Sequence, residues 1–277
     1  MNTELNCNNC NNNICKIVLS KDNLNLYKCE NCNLLFTYPQ PDKNFLKTYY
    51  SKSYFKHWFE YTNVKKKTDL WRLKLVSKFL KNKKNIALLD FGCGVGYFLN
   101  FIKKIFPHWK IYGIEFSDFA INYAQENFQL NILHYNQLNQ ITDKFDVITL
   151  WHTIEHLNDP CNDIKKLKNF LKDDGLIFIE TPNVNSLLQK IRGLKSLNLV
   201  EHLFHYTPET LQYLFMRHNF KIILNRPGNP GYTRKGIKIF IKKILSFVGW
   251  KIFNFIQKNY DDTILLIAKY QIDKYTD

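Results

Sequence analysis

The 277-residue sequence predicts an α/β protein: a mostly parallel sheet with helices on both faces, preceded by a small cysteine-bearing module. Three observations predict it. From Ile86 onward, short apolar runs alternate with longer amphipathic ones, the rhythm of strand–helix units. The first apolar run ends in Asp90-Phe91-Gly92-Cys93-Gly94-Val95-Gly96, an acid followed by glycines at every second position. Four of the seven cysteines fall in two close pairs before residue 33.

The module comes first. Cys7 and Cys10 form one pair, Cys29 and Cys32 the other, with eighteen residues between them. Each pair can fold as a knuckle, and two knuckles supply four thiolates for a tetrahedral zinc ion. A segment this short cannot bury a core, so a metal would hold it together. Cys15 lies between the pairs and reads as a spare. Pro39 and Pro41 close the module, giving a zinc ribbon over 1–41. Residues 43–82 contain no Gly or Pro and are rich in Lys, Tyr, Phe and Trp, predicting a helical lid or linker over 42–84.

The main domain spans 85–277. Strands are expected at 86–91, 110–115, 131–135, 145–151 and 175–180, with helices at 96–106, 117–128, 160–172 and 207–218. Two late strands, 220–225 and 263–269, complete a sheet of seven. Between them, a long amphipathic helical insertion is expected at 235–258. Ile237, Ile241, Ile244, Val248, Ile252 and Phe255 fall on one face, and Lys238, Lys242, Lys243 and Lys251 lie elsewhere. Such a basic helix suits peripheral contact with an anionic membrane. Packing on the sheet or on a second subunit, as in a homodimer, is the preferred reading.

Lys+Arg 39 against Asp+Glu 24 gives a net charge of +15. The lysines are spread along the chain, and no arginine-rich stripe appears. Coding bias is therefore favoured over nucleic-acid binding as the cause of the charge. Met1 to Asn13 is polar, unlike a signal peptide, and no apolar run approaches the roughly 20 residues of a membrane span. Paired and isolated cysteines suit a reducing, cytoplasmic setting.

Glycine lets a backbone approach a ligand without a Cβ in the way, and the carboxyl ends of the strands are where a doubly wound sheet binds ligands. A second acid, Glu115, ends the next strand. The dinucleotide fingerprint would place a third glycine at position 97, which is Tyr. The turn, Asp90 and Glu115 together resemble the first motif of class I S-adenosylmethionine-dependent methyltransferases. That resemblance implies a Rossmann-like, seven-stranded methyltransferase sheet. It implies that Glu115 binds the ribose hydroxyls of S-adenosylmethionine, and that Asp90, Gly92, Gly94 and Gly96 lie beside its methionine part. The adenine site follows the third strand in that family, where Asn136 or Gln137 stands in place of the usual acid.

The stretch Phe145 to Pro160 is similar to the fourth motif of the branch that includes ubiquinone-type O-methyltransferases. There a strand ends in a His-x-x-Glu-His-Leu turn, matched here by His152, Glu155, His156 and Leu157. The match implies that Trp151 and His152 lie next to the sulfonium and the acceptor. His152 is a candidate base, and Glu155 and His156 are expected to brace the turn. Asp159-Pro160 reads as a helix cap followed by a first-turn proline.

The phrase beginning Glu201-His202 resembles one shared with sugar C-methyltransferases of deoxysugar biosynthesis, which also carry an N-terminal four-cysteine zinc module. In those enzymes the Glu-His pair takes part in proton abstraction, which makes Glu201 and His202 catalytic candidates. The chain departs from them in lacking their extra C-terminal domain and in having Leu at 199, where a partner tyrosine is expected. The resemblance implies methyl transfer to a small-molecule or glycan acceptor, a sugar or nucleotide-sugar first. An RNA methyltransferase using the ribbon and the basic surface is the second reading. A binding protein with a degenerate cofactor site is the third.

Overall fold

The computed structural model describes residues 5–55, 63–80, 83–227 and 262–271. The chain opens with three antiparallel strands, β1 (Cys15–Lys21), β2 (Leu24–Cys29) and β3 (Leu35–Tyr38). The β1–β2 turn is built from Asp22 and Asn23, both at positive φ (51° and 63°). That left-handed pair twists the turn with the strands, which is why Asp and Asn suit it.

Helices α1 (Lys43–Tyr49), α2 (Lys52–Phe55) and α3 (Asn63–Phe79) occupy the segment expected to be helical over 43–82. Asp42 caps α1, its side chain accepting from the Phe45 amide. The break falls at Tyr50, whose backbone leaves the helical region as a C-cap (ψ 37°). Its carbonyl accepts from the Ser117 hydroxyl at 2.7 Å, so the bend is tied to the main domain. Absence of Gly and Pro does not forbid a bend that tertiary contacts stabilise.

The main domain follows as β4 (Ala87–Phe91), α4 (Tyr97–Ile105), β5 (Lys110–Glu115), α5 (Asp118–Phe128), β6 (Ile132–His134), β7 (Phe145–Trp151), α6 (Pro160–Lys168) and β8 (Leu171–Pro182). Then come α7 (Leu187–Arg192), β9 (Phe204–His205), α8 (Pro208–Arg217), β10 (Phe220–Pro227) and β11 (Thr263–Tyr270). The large sheet runs β10-β11-β8-β7-β4-β5-β6. The last five of these pair in parallel, while β11 runs antiparallel to both its neighbours. This is the seven-stranded, Rossmann-like sheet expected.

β4 and β7 are buried along their whole length, as strands covered on both faces must be. β8 begins four residues before its expected start, while α6 ends at Lys168 rather than 172. Asp174, at φ 65°, falls inside the extended strand, where the β7–β8 register shifts. β9 belongs to the other sheet, which runs β1-β2-β3-β9. Among the described residues, no helix is long and apolar enough to cross a membrane. The amphipathic segment expected at 235–258 lies outside the described residues.

Candidate functional site

A cavity of about 870 Å³ opens at the carboxyl ends of β4, β5 and β7. The glycine turn forms its floor, with Gly92, Gly94 and Gly96 at φ 79°, 54° and 79°. The three do different work. A Cβ on Gly92 would stand 2.3 Å from Thr153 Cγ2, and one on Gly96 would stand 2.7 Å from Leu130 Cδ1. These two glycines permit close packing of turn against turn and of α4 against α5. A Cβ on Gly94 would meet nothing nearer than Phe55, at 3.9 Å. Gly92 and Gly94 line the cavity and Gly96 does not.

Glu115 faces the turn. One carboxylate oxygen accepts from the Gly94 amide at 2.8 Å, and the other from the Phe116 and Ser117 amides at 2.8 and 3.0 Å. A carboxylate offers about four acceptor positions, so one remains for a ligand hydroxyl. Asp90 is buried and accepts from the Thr149 hydroxyl at 2.7 Å. Burial pushes its carboxyl up to about 7, against the Thr149 hydrogen bond and the Arg72 charge, which lower it. Burial also drives the Cys93 thiol well above its ordinary value, with the Glu115 and Asp90 charges adding to the effect. Cys93 is a packing residue: a Cβ at Gly113 would sit 2.6 Å from its sulfur.

The residues expected on the adenine side also gather here. Asn136 is exposed at the cavity wall, while the Gln137 side chain accepts from the His134 amide, closing a capping box. The Phe116 and His134 rings lie 5.6 Å apart on the same wall.

Trp151 and His152 line the cavity at the end of β7. His152 has φ 54°, uncommon for a residue other than Gly although His adopts it more readily than most, and such a backbone persists where surroundings fix it. Its amide donates to the Glu180 carbonyl at 2.7 Å, and its Nδ1 lies 3.4 Å from Glu155 Oε1. Glu155 is 1% exposed and accepts from the Thr181 hydroxyl through its other oxygen at 2.8 Å. Burial favours a neutral Glu155, but the His152 contact and the charges of His156 and His202 outweigh it, holding the carboxyl down at about 2. His152 is the converse. Burial disfavours its charge, yet Glu155 and Glu180 together hold its pKa above the ordinary value.

Glu201 and His202 sit behind this turn and do not line the cavity themselves. His156 stands between, lining the cavity, with its ring 4.9 Å from that of His202 and its Nδ1 2.8 Å from the Glu201 carbonyl. Glu155, His156 and His202 present ligand-type atoms within 4.8 Å of one another. The carboxylate of Glu201 accepts from Tyr54 at 2.6 Å, from Asn198 at 2.8 Å and from Tyr49 at 3.3 Å. The Tyr50 hydroxyl lies 3.3 Å from His156 Nδ1.

Sequence reasoning did not find Tyr50, Tyr54 or Arg72. The tyrosines sit on an aromatic-rich stretch with no motif to mark them. Arg72 of α3 donates twice to Glu180 Oε2, at 3.1 and 2.9 Å, with its guanidinium carbon 4.8 Å from the Trp151 ring centre. Its signal is a lone arginine on a helix otherwise full of lysines.

Outside the cavity lining, Cys7, Cys10, Cys29 and Cys32 bring their four sulfurs within 4.8 Å of one another, with two of the sulfur pairs at 3.5 Å. Tetrahedral zinc with bonds of about 2.3 Å needs sulfurs roughly 3.8 Å apart, so this set could hold zinc with small adjustments.

A mostly parallel sheet of seven strands with β11 alone reversed, a glycine turn and a facing second-strand acid define a class I, S-adenosylmethionine-type methyltransferase fold. The methyltransferase domain family matches residues 63–225, more than half of the chain, and the chain belongs to that family. A malonyl-(acyl-carrier protein) O-methyltransferase from Acetivibrio thermocellus is 27% identical over 144 residues, covering 50% of this chain and 50% of the relative. A ubiquinone biosynthesis O-methyltransferase from Coxiella burnetii is 33% identical over 123 residues, covering 41% and 50%. The chain thus spans about half the length of the curated relatives it matches. Among solved structures, a SAM-dependent methyltransferase from Archaeoglobus fulgidus superposes with a TM-score of 0.55 at 19% identity, over 82% of this chain and 100% of that one. Magnesium protoporphyrin IX methyltransferase from Synechocystis PCC 6803, with bound SAH, gives 0.56 at 15%, over 83% and 100%. At these identities the likeness is one of fold.

Proposed function

We propose that this chain transfers the methyl group of S-adenosylmethionine to a small-molecule or glycan acceptor, a sugar or nucleotide-sugar first. The observation that carries the reading is the placement of two polar systems on one cavity. Glu115 and the Gly94 amide face it from the donor side, and His152 and His156 face it from the β7 end. Behind the histidines lies a cluster of hydroxyl, amide and carboxylate groups from Tyr49, Tyr50, Tyr54, Asn198 and Glu201, of which Tyr50 and Tyr54 line the cavity and offer hydroxyl chemistry to a polyhydroxylated acceptor.

In this reading Glu115 takes a ribose hydroxyl, Gly92 and Gly94 admit the methionine part, and Asp90 lies beneath it. Asn136, Phe116 and His134 bound the adenine. S-adenosylmethionine supplies the electrophilic methyl group when bound. The chain holds donor and acceptor in line, which is where most of the rate of such a transfer arises. His152 is the candidate to take the acceptor proton, being a cavity-lining histidine at the carboxyl end of β7. Glu201 and His202 act behind His156 and set its orientation. The four thiolates of Cys7, Cys10, Cys29 and Cys32 hold one zinc ion.

The RNA reading is disfavoured by where the first cysteine knuckle spends its polar groups. Asn8 bonds Asp159 and the Cys161 amide, and Asn9 bonds the Thr210 carbonyl, so both face protein. Calorimetry with S-adenosylmethionine tests donor binding. Incubation with methyl-labelled donor and a panel of nucleotide-sugars, read by mass spectrometry, tests the acceptor. Absence of donor binding at millimolar ligand sinks the whole reading. Methylation of RNA with steeply salt-dependent binding sinks the sugar acceptor.

A further inference from the structure

We propose that the four-cysteine module is a positioning clamp for the Glu201–His202 turn, so that metal loading sets acceptor-side geometry and leaves donor binding alone. The proposal rests on the methyl-transfer reading for the meaning of that turn, but its structural content stands on backbone contacts.

Leu203, the residue after His202, is gripped from two sides. Its amide donates to the Glu155 carbonyl at 2.8 Å, and its carbonyl accepts from the Thr37 amide at 2.8 Å. The first contact ties the turn to the β7 end, and the second ties it to β3 of the module. β3 and β9 then continue the grip by pairing Phe36 with Phe204 and Leu35 with His205. Thr37 is fully buried, and its hydroxyl reaches the His202 carbonyl at 3.4 Å. The positions of Glu201 and His202 relative to Glu155 and His156 are therefore set jointly by the main domain and by β3.

β3 is four residues long, in a sheet whose first three strands contain seven, six and four residues. So small a sheet is marginal without a staple. The staple sits at its base. β2 ends at Cys29, the Cys29 amide donates to the Leu34 carbonyl, and the Asn33 amide donates to the Cys29 carbonyl, so the second knuckle leads straight into β3. The first knuckle is docked on α6 and α8: Asn9 donates to the Thr210 carbonyl, Arg217 to the Asn9 carbonyl, and Asn8 to Asp159. A metal joining the two knuckles makes β3 and the α6–α8 surface one unit. The glycine turn and Glu115 lie outside this unit, since none of these contacts touches them; Asp159, the α6 cap that Asn8 bonds, does line the cavity.

The test uses the full chain and its Cys10→Ser variant. Hydrogen exchange is followed on peptides spanning 199–206 and on peptides spanning 90–97 and 113–117. S-adenosylhomocysteine binding is measured by calorimetry, and zinc content by metal analysis. The expected result is at least tenfold faster exchange over 203–206 in the zinc-depleted variant, with unchanged exchange at 90–97 and an S-adenosylhomocysteine Kd within twofold of the parent. Asn9→Ala, which keeps all four thiolates, is expected to retain zinc and to show a smaller rise over the same peptide. Unchanged exchange at 203–206 after zinc loss overturns the proposal. Loss of protection at 90–97 together with 203–206 also overturns it, because the module then supports the whole fold. If the parent binds no S-adenosylhomocysteine, the methyl-transfer reading fails while the exchange result still judges the clamp.

Discussion

The Tyr54 hydroxyl donates to Glu201 Oε1 at 2.6 Å, joining α2 to the turn that precedes β9 across 147 residues of chain. Burial raises the Tyr54 pKa, and the Glu201 hydrogen bond raises it further, so the phenol stays protonated and remains a donor. Tyr54 also lines the cavity. A phenol bonded to Glu201 thus reaches the cavity from α2. Tyr54→Phe is expected to slow turnover of an identified acceptor about tenfold, the worth of one charge-assisted hydrogen bond. Donor affinity should stay within twofold. An equal loss in donor affinity would place Tyr54 on the donor side instead.

The glycine turn gives three substitutions with different outcomes. Gly94→Ala meets open space but keeps a positive φ, which costs about 1 kcal/mol of stability. Its methyl group would project where ligand must approach, so a tenfold or larger loss of S-adenosylmethionine affinity is expected with a small drop in Tm. Gly92→Ala and Gly96→Ala add to the same strain a collision with Thr153 or Leu130, and each should lower Tm more than Gly94→Ala does. Thermal melts beside calorimetry separate the two classes. Equal melting losses at all three positions would contradict the distinct packing roles.

The sheet and its glycine turn were legible because their signals are local. Strand–helix alternation, Asp90 at a strand end and Pro160 after Asp159 follow from short-range sterics and capping, and chain position reveals them. The two cysteine pairs were legible for the same reason. What the sequence hid was long-range. Tyr50 turns out of its helix because Ser117 and His156 await it, 67 and 106 residues away. The short strand β9 forms because β3 offers it an edge, and nothing in Phe204-His205 alone marks a strand. Glycine spacing also suggested one role for all three turn residues, whereas Gly96 packs against Ala124 and Leu130 behind the cavity.

The His152–Glu155 pair predicts a dome-shaped pH dependence of stability. Glu155 has its folded pKa lowered to about 2 from the usual 4.5, so its contribution is present above about 4.5 and lost as pH falls toward 2. That shift corresponds to something on the order of 3 kcal/mol. His152 is raised above 6.5, so its contribution is present below 6.5 and lost as pH rises through the folded value. Both are in place between about pH 4.5 and 6.5. Glu155→Gln should remove the acid flank and flatten the alkaline one, read from urea midpoints across pH 3–9. A variant whose difference from wild type is constant over that range would refute the ion pair.

Asp90 runs the other way and connects stability to ligand binding. Burial raises its folded pKa to about 7 from the usual 3.8. A raised carboxyl contributes stability below pH 3.8, and that contribution declines as pH rises to about 7, where the buried site must accept a charge. S-adenosylmethionine brings a sulfonium and an ammonium group into the cavity that Asp90 lines, and nearby positive charge favours the ionised carboxyl. Binding at pH 6 should therefore release a substantial fraction of a proton. Calorimetry in buffers of different ionisation enthalpy reads this directly as a buffer-dependent binding heat. Asp90→Asn keeps an oxygen for the Thr149 hydroxyl and removes the titration, so its binding heat should be the same in every buffer. S-adenosylhomocysteine, which lacks the sulfonium charge, should release less. A buffer-independent heat for the wild-type protein at pH 6 would show that Asp90 is already ionised before the ligand arrives, and that Thr149 and Arg72 outweigh the cost of burial.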